Sequence, residues 1–106
     1  IMKNVNMTRE EAINTIINLL HDGRSIPVAS IGNGGGGFFW VYSNVSLEAL
    51  VAELKDTDNN NFRVVPESEI AEDFENSVYL GDYDVCVEFT FTHEGNPYRE
   101  QYLLWV

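Results

Sequence analysis

The chain has 106 residues, of which 44% are hydrophobic and 12% aromatic, and its formal net charge is −11. This length predicts one domain over residues 1–106, and the apolar content excludes an intrinsically disordered protein. No apolar run is long enough to cross a bilayer, and no basic stretch precedes an apolar core at the N-terminus, so we expect neither a membrane span nor a signal peptide. Cys86 is the single cysteine, which excludes an internal disulfide and favours a cytoplasmic location.

The first predicted element is an amphipathic helix over residues 9–22. Thr8 and Glu11 have the spacing of a capping box, in which each side chain satisfies a backbone donor at the helix start. Apolar residues with the spacing of one helix face follow, at Ile13, Ile16, Ile17 and Leu20. Gly23 provides the left-handed position at which such helices commonly end.

A glycine-rich stretch separates two β-rich runs, 26–31 and 38–43, and predicts a hairpin with a loose loop at residues 32–37. A phosphate-binding loop needs a lysine and a helix after its glycines, whereas a strand follows here, so nucleotide binding is not expected. Ser46 is the expected cap of a second short helix, which ends in the polar loop 56–61.

The C-terminal part begins with a predicted short strand at residues 62–65. Pro66 and the acids after it favour a short acidic helix to about residue 75. Apolar and polar residues then alternate over residues 83–92, which predicts a strand with Tyr83 and Val85 on its buried side. A turn at 93–97 and a last strand complete an α+β fold, an antiparallel β-sheet with two to three helices packed mainly on one face.

Negative charge is concentrated in the C-terminal part. Residues 64–106 contain ten acids and one base, whereas residues 1–63 contain seven acids and five bases. Such a field repels nucleic acid and anionic membranes and attracts basic surfaces, although plain solubility is an alternative explanation. The predicted partner-binding residues are the acids of this region: Glu67, Glu69, Glu72, Asp73, Glu75, Asp82, Asp84 and Glu88.

No catalytic residue, metal site or cofactor is predicted. His21 and His93 have no further ligand at metal-binding spacing, and Cys86 has no base near it in sequence. The acids near Asp56 and Asp58 lack the order of a calcium loop. Aromatic residues beside the acids are candidate anchors for a protein interface, so the residue types indicate binding rather than catalysis.

In size, acidity and α+β pattern, the chain resembles the small immunity proteins that protect bacteria from their own toxins, such as those of contact-dependent growth inhibition systems. The resemblance assigns no residue. It implies a cytoplasmic protein that binds a toxin domain, often a basic nuclease, and blocks its active site. Alternatives stay open. One is a phage-encoded inhibitor or nucleic-acid mimic aimed at a host nuclease or defence complex. Another is a small-ligand-binding domain or minor enzyme with a pocket beneath residues 32–37, and a third is a fragment or accessory subunit whose exposed aromatics pack on another chain.

Overall fold

The computed structural model describes residues 5–32, 36–56 and 61–106 and has the predicted α+β class. Its two helices are α1 (Arg9–His21) and α2 (Leu47–Lys55). The strands are β1 (Ile26–Gly32), β2 (Gly37–Val41), β3 (Asn61–Val64), β4 (Val85–His93) and β5 (Asn96–Leu104). Three short 3-10 turns lie between β3 and β4, at Glu67–Glu69, Glu72–Phe74 and Leu80–Asp82. In the part of the chain described, no helix is long and apolar enough to cross a membrane.

The strands form one antiparallel sheet in the order β2-β1-β5-β4-β3. Strands β1 and β2 pair as the predicted hairpin, although residues 33–35 of its loop lie outside the described residues, as do residues 57–60 of the predicted polar loop. The β4–β5 turn consists of Glu94 and Gly95, which both have positive φ. Asn96, predicted in this turn, instead pairs with His93, because a two-residue turn of this kind suits the twist of a hairpin.

Both helices pack on the same face of the sheet. The predicted capping box of α1 is confirmed: the Thr8 hydroxyl accepts from the Glu11 N–H at 3.1 Å, and the Glu11 carboxylate accepts from the Thr8 N–H at 3.0 Å. Gly23 follows α1 in the left-handed region, with φ of 84°. The core beneath the helices joins α1, α2 and four strands through Ile13, Ile16, Leu20, Leu54, Val28, Val41, Val87, Phe89 and Tyr102.

The opposite face is covered by residues 66–84, which we call the acidic segment. The prediction of one acidic helix over residues 66–75 is wrong, because Ile70 and Ala71 are extended, with ψ of 137° and 134°. A continuous helix would direct the Ala71 N–H to the carbonyl of Glu67. That N–H instead donates to Oε1 of Gln101 at 2.8 Å. A contact with β5 therefore replaces the helical hydrogen bond and divides the stretch into two 3-10 turns.

Strand β4 begins at Val85, two residues later than predicted. A 3-10 turn ends at Asp82, so the alternation of side chains does not extend back to Tyr83. Tyr83 was predicted on the Val85 side of the sheet, but it packs in the apolar cluster under the acidic segment. Its ring centroid lies 4.6 Å from that of Trp105, and this contact fixes the end of the segment.

Candidate partner-binding surface

The acidic segment lies against the sheet through apolar residues and directs its carboxylates outward. Ala71, Phe74 and Tyr83 are buried in a cluster that includes Leu103 of β5. Phe74 is fully buried, and its ring meets that of Phe38 edge to face with 6.0 Å between centroids. Because Ala71, Phe74 and Tyr83 point inward, the segment is positioned by the core and is not a loose acidic loop.

Gln101 attaches the segment to the sheet through a fully buried amide. Besides accepting from the Ala71 N–H, it donates from Nε2 to the backbone carbonyl of Glu69 at 3.2 Å and to Oε1 of Glu88 at 3.0 Å. A buried amide costs free energy unless its donors and acceptors have partners. With these partners present, Gln101 fixes the two acidic turns relative to β5.

Glu88, predicted as a contact residue, is buried beneath the segment with 4% of its side chain exposed. Its carboxylate accepts from Nε of Arg63 at 2.8 Å and from Nη1 of Arg99 at 3.3 Å. Burial acts to raise the pKa of Glu88, but the hydrogen bonds from Arg63 and Gln101 outweigh it, and the pKa lies below the usual value. We therefore remove Glu88 from the contact surface, because its carboxylate is buried and already accepts hydrogen bonds from side chains of the same chain.

Four other predicted acids are exposed and close together in the chain. Glu72, Asp73 and Glu75 belong to or follow the second 3-10 turn, and Asp82 ends the third. Within the described ranges, none of these four carboxylates forms an ion pair. They are therefore available to a partner, and they form the centre of the candidate surface.

The other three predicted acids, Glu67, Glu69 and Asp84, differ from these four in exposure or in their interactions. Glu67 is exposed in the first 3-10 turn. Glu69 is exposed too, but its carboxylate accepts from Nη1 of Arg63 at 3.0 Å, so part of its charge is compensated. Asp84 is half-buried, and its Oδ2 accepts from the backbone N–H of Val106 at 2.8 Å. Glu69 and Asp84 thus contribute less to the outer field than the four acids above.

Tyr79 adds an aromatic side chain to the acidic surface. It is 72% exposed, and it lies between Glu75 and Asp82 in the chain. Its ring lies over Gly81, where a β-carbon would be only 2.5 Å from the ring Cε2, so a side chain at position 81 would displace it. Aromatic residues are common interface anchors. The sequence places several aromatics near acids but does not show which one is exposed, because residues 75–84 follow neither helical nor strand periodicity.

Cys86 lies in a structural environment rather than a reactive one. Its thiol is buried, with Sγ 3.8 Å from Oε1 of Gln101. Burial and then the charge of Glu88 raise the pKa of this thiol, which disfavours the nucleophilic thiolate. In the described ranges, no group of three or more histidine, cysteine or acidic side chains is arranged to hold a metal ion.

A perturbed acid lies on the helix face of the sheet. Burial, and then the charge of Glu53 on α2, raise the pKa of Glu100 to about 7. The Tyr102 hydroxyl donates to Glu100 at 3.2 Å, and the Tyr98 hydroxyl donates to Glu53 at 3.4 Å. A cavity of about 390 Å³ lies elsewhere, between the helices, and is lined by Arg9, Glu10, Ile13 and Lys55. The pocket expected beneath residues 32–37 depends partly on residues 33–35, which lie outside the described residues.

Comparison of the chain with protein-family models, curated proteins and solved structures finds no match. The case for a function therefore depends on the surface itself, and above all on the exposed carboxylates of the acidic segment.

Proposed function

We propose that this chain is a non-enzymatic inhibitor that acts in the cytoplasm and neutralises a basic toxin. The toxin class that we propose is a nuclease. The acidic segment occludes the active site of that toxin, and the chain binds neither nucleic acid nor membranes itself. The observation that carries the proposal is the placement of Glu72, Asp73, Glu75 and Asp82. Their carboxylates are exposed on a segment that Phe74 and Gln101 attach to the sheet.

A nuclease is the toxin class that such a surface fits best. A nuclease groove is positively charged because it binds phosphates, and exposed carboxylates on a segment packed against the sheet can compete for the same groups. Since the segment is already ordered, the inhibitor loses little conformational entropy on binding. Acidic charge also accelerates capture of a basic protein, which matters when few toxin molecules are free.

An exposed aromatic ring inside the acidic surface supports the same interpretation. Charged groups at an interface contribute mainly to the association rate and to specificity, whereas buried aromatic anchors often carry much of the affinity. Tyr79 supplies such an anchor between Glu75 and Asp82. One segment thus provides both charges that attract a basic partner and an aromatic ring that the partner can bury.

The proposal is tested by affinity capture followed by an inhibition assay. The tagged chain is immobilised, exposed to lysate of the source organism and eluted with a salt gradient, and the eluted protein is purified and assayed for nuclease activity. We expect a basic protein to elute at high salt, and its cleavage of nucleic acid to stop when the chain is added at equimolar concentration.

Two results would contradict the proposal. One is the absence of any protein that elutes in a salt-dependent way, and the other is a captured enzyme that stays fully active in the complex. The identity of an inhibited target distinguishes an immunity protein from a phage-encoded inhibitor. A toxin would support an immunity role, and a host nuclease or defence complex would support a phage-encoded inhibitor.

A further inference from the structure

Strand β2 forms one edge of the sheet and lacks the features that usually protect an edge. Within the described residues it pairs with β1 alone, so alternate N–H and C=O groups of Gly37–Val41 point away from the sheet. The opposite edge strand, β3, has four residues, carries Arg63 and is closely followed by Pro66. Short length, charge and proline all discourage pairing with another strand. Strand β2 has neither a charge nor a proline.

The hairpin that contains β2 is uncharged over a long stretch. Charged residues make up 22% of the sequence, yet none occurs between Arg24 and Glu48. Apolar side chains are nevertheless exposed here: Phe39 is 41% exposed and Tyr42, just after β2, is 56% exposed. An uncharged edge with exposed aromatic rings is a surface on which another chain gains both hydrogen bonds and apolar burial.

The acidic segment borders this edge on one side of the sheet. The ring contact between Phe38 and Phe74 places the second 3-10 turn beside β2. At the start of the strand, a β-carbon built on Gly36 would lie 3.5 Å from Oδ2 of Asp73. The carboxylates of this turn therefore lie within side-chain reach of a strand added along β2.

The two faces of β2 differ in chemistry. Phe38 packs with the cluster under the acidic segment, and the ring of Trp40 lies 5.5 Å from that of Phe38. Phe39 pairs with Val28, and both residues lie on the helix side of the sheet. An added strand would thus have carboxylates near its side chains on one face and the exposed ring of Phe39 near those on the other.

We propose that the partner docks by adding an extended strand to the free edge of β2, and that this strand alternates basic and apolar residues. The inference rests on the proposed function, because it specifies how the basic partner binds. Main-chain hydrogen bonds along β2 fix the position of the strand. Its lysine or arginine side chains reach Glu72, Asp73 and Glu75, and its apolar side chains contact Phe39.

The test uses a seven-residue peptide of alternating lysine and valine, with blocked termini, titrated into the ¹⁵N-labelled chain. We expect saturable shift changes in the amides of Gly37–Val41 and none in those of Asn61–Val64. A peptide with every backbone nitrogen methylated keeps its charge but loses its donors, and we expect it to bind at least about tenfold more weakly. Asp73→Asn in the chain is expected to weaken binding of the unmodified peptide by about threefold.

Four outcomes would overturn the inference: no binding of the unmodified peptide, equal binding of both peptides, shifts confined to the acidic segment, or a dimer of the chain through β2. Equal binding or confined shifts would mean that the carboxylates act by charge alone, which leaves the proposed inhibitor function standing. Analytical ultracentrifugation of the chain without peptide tests whether a second copy of the chain occupies the β2 edge. A dimer in which the amides of Gly37–Val41 are protected from exchange would place a second copy on this edge instead.

Discussion

Replacement of Phe74 by alanine is expected to lower the free energy of unfolding by about 3–5 kcal/mol. The Phe74 side chain is fully buried between the acidic segment and the sheet, and it contacts Phe38 edge to face. Truncation leaves a cavity that the surrounding turns fill only in part, because Gln101 still ties Ala71 to β5. A loss of this size is a large fraction of the stability of a small domain. Urea unfolding monitored by circular dichroism measures it.

Phe39→Ala is the matched control for this substitution. Phe39 is likewise a phenylalanine, but it lies on β2 and is 41% exposed, so its truncation is expected to cost less than about 1.5 kcal/mol. Hydrogen exchange adds a local measurement: in Phe74→Ala, the amides of residues 74–78 should exchange faster than those of β5. A loss near that of the control would mean that Phe74 does not attach the acidic segment to the sheet.

Glu100→Gln is expected to make the protein more stable than wild type by about 3 kcal/mol at pH 7.5 and by less than about 1 kcal/mol at pH 5. Burial and the charge of Glu53 raise the pKa of Glu100 to about 7 in the folded protein, above its ordinary value of 4.5. Between these values the folded chain holds a proton that the unfolded chain has released. Wild-type stability therefore falls as pH rises through this window, by about 1.4 kcal/mol per pH unit, and levels off above pH 7.

The measurement is the difference in unfolding free energy between wild type and Glu100→Gln at half-unit steps of pH. Contributions of titrating groups that do not interact with Glu100 are common to both proteins and cancel in this difference. Glu48→Gln, at an exposed acid of α2, serves as the control and is expected to change stability by less than about 0.5 kcal/mol at each pH. A difference for Glu100→Gln that does not vary with pH would show that Glu100 is ionised in the folded state near neutral pH.

Elements with a regular sequence period were predictable, because their side-chain pattern and their local end signals agree. Thr8, Glu11 and Gly23 indicate both ends of α1, and the alternation after residue 85 indicates β4. The acidic segment was not predictable in the same way. Its local residues favour a helix, but a hydrogen bond from Ala71 to Gln101, thirty residues away in the chain, determines the extended break. A contact at that separation leaves no signal in local periodicity.

The candidate surface was predictable in composition but not in exposure. The excess of acids over bases identifies the region, and Glu72, Asp73, Glu75 and Asp82 are exposed as expected. Strand alternation places Glu88 on the side away from the helices, which would be a solvated face if nothing covered it. The acidic segment itself covers that face, so Glu88 is buried and accepts hydrogen bonds from Arg63 and Arg99, which stay partly exposed.

The central claim is that the exposed carboxylates of the acidic segment capture a basic protein. Its most direct test is the association rate of the chain with the basic protein recovered by affinity capture, measured from about 20 mM to about 500 mM salt. Two triple variants with equal net charge are compared with wild type. Glu72→Gln, Asp73→Asn and Glu75→Gln neutralise the proposed site, whereas Glu10→Gln, Asp22→Asn and Glu48→Gln neutralise exposed acids outside the acidic segment.

We expect the association rate constant of wild type to fall at least about tenfold over this salt range. The site variant should associate about tenfold more slowly than wild type at low salt, and its rate constant should depend much less on salt. The control variant should stay within about threefold of wild type, since its lost charges lie away from the contact. Equal slowing of both variants, or a wild-type rate that does not change with salt, would show that the acidic segment does not direct binding.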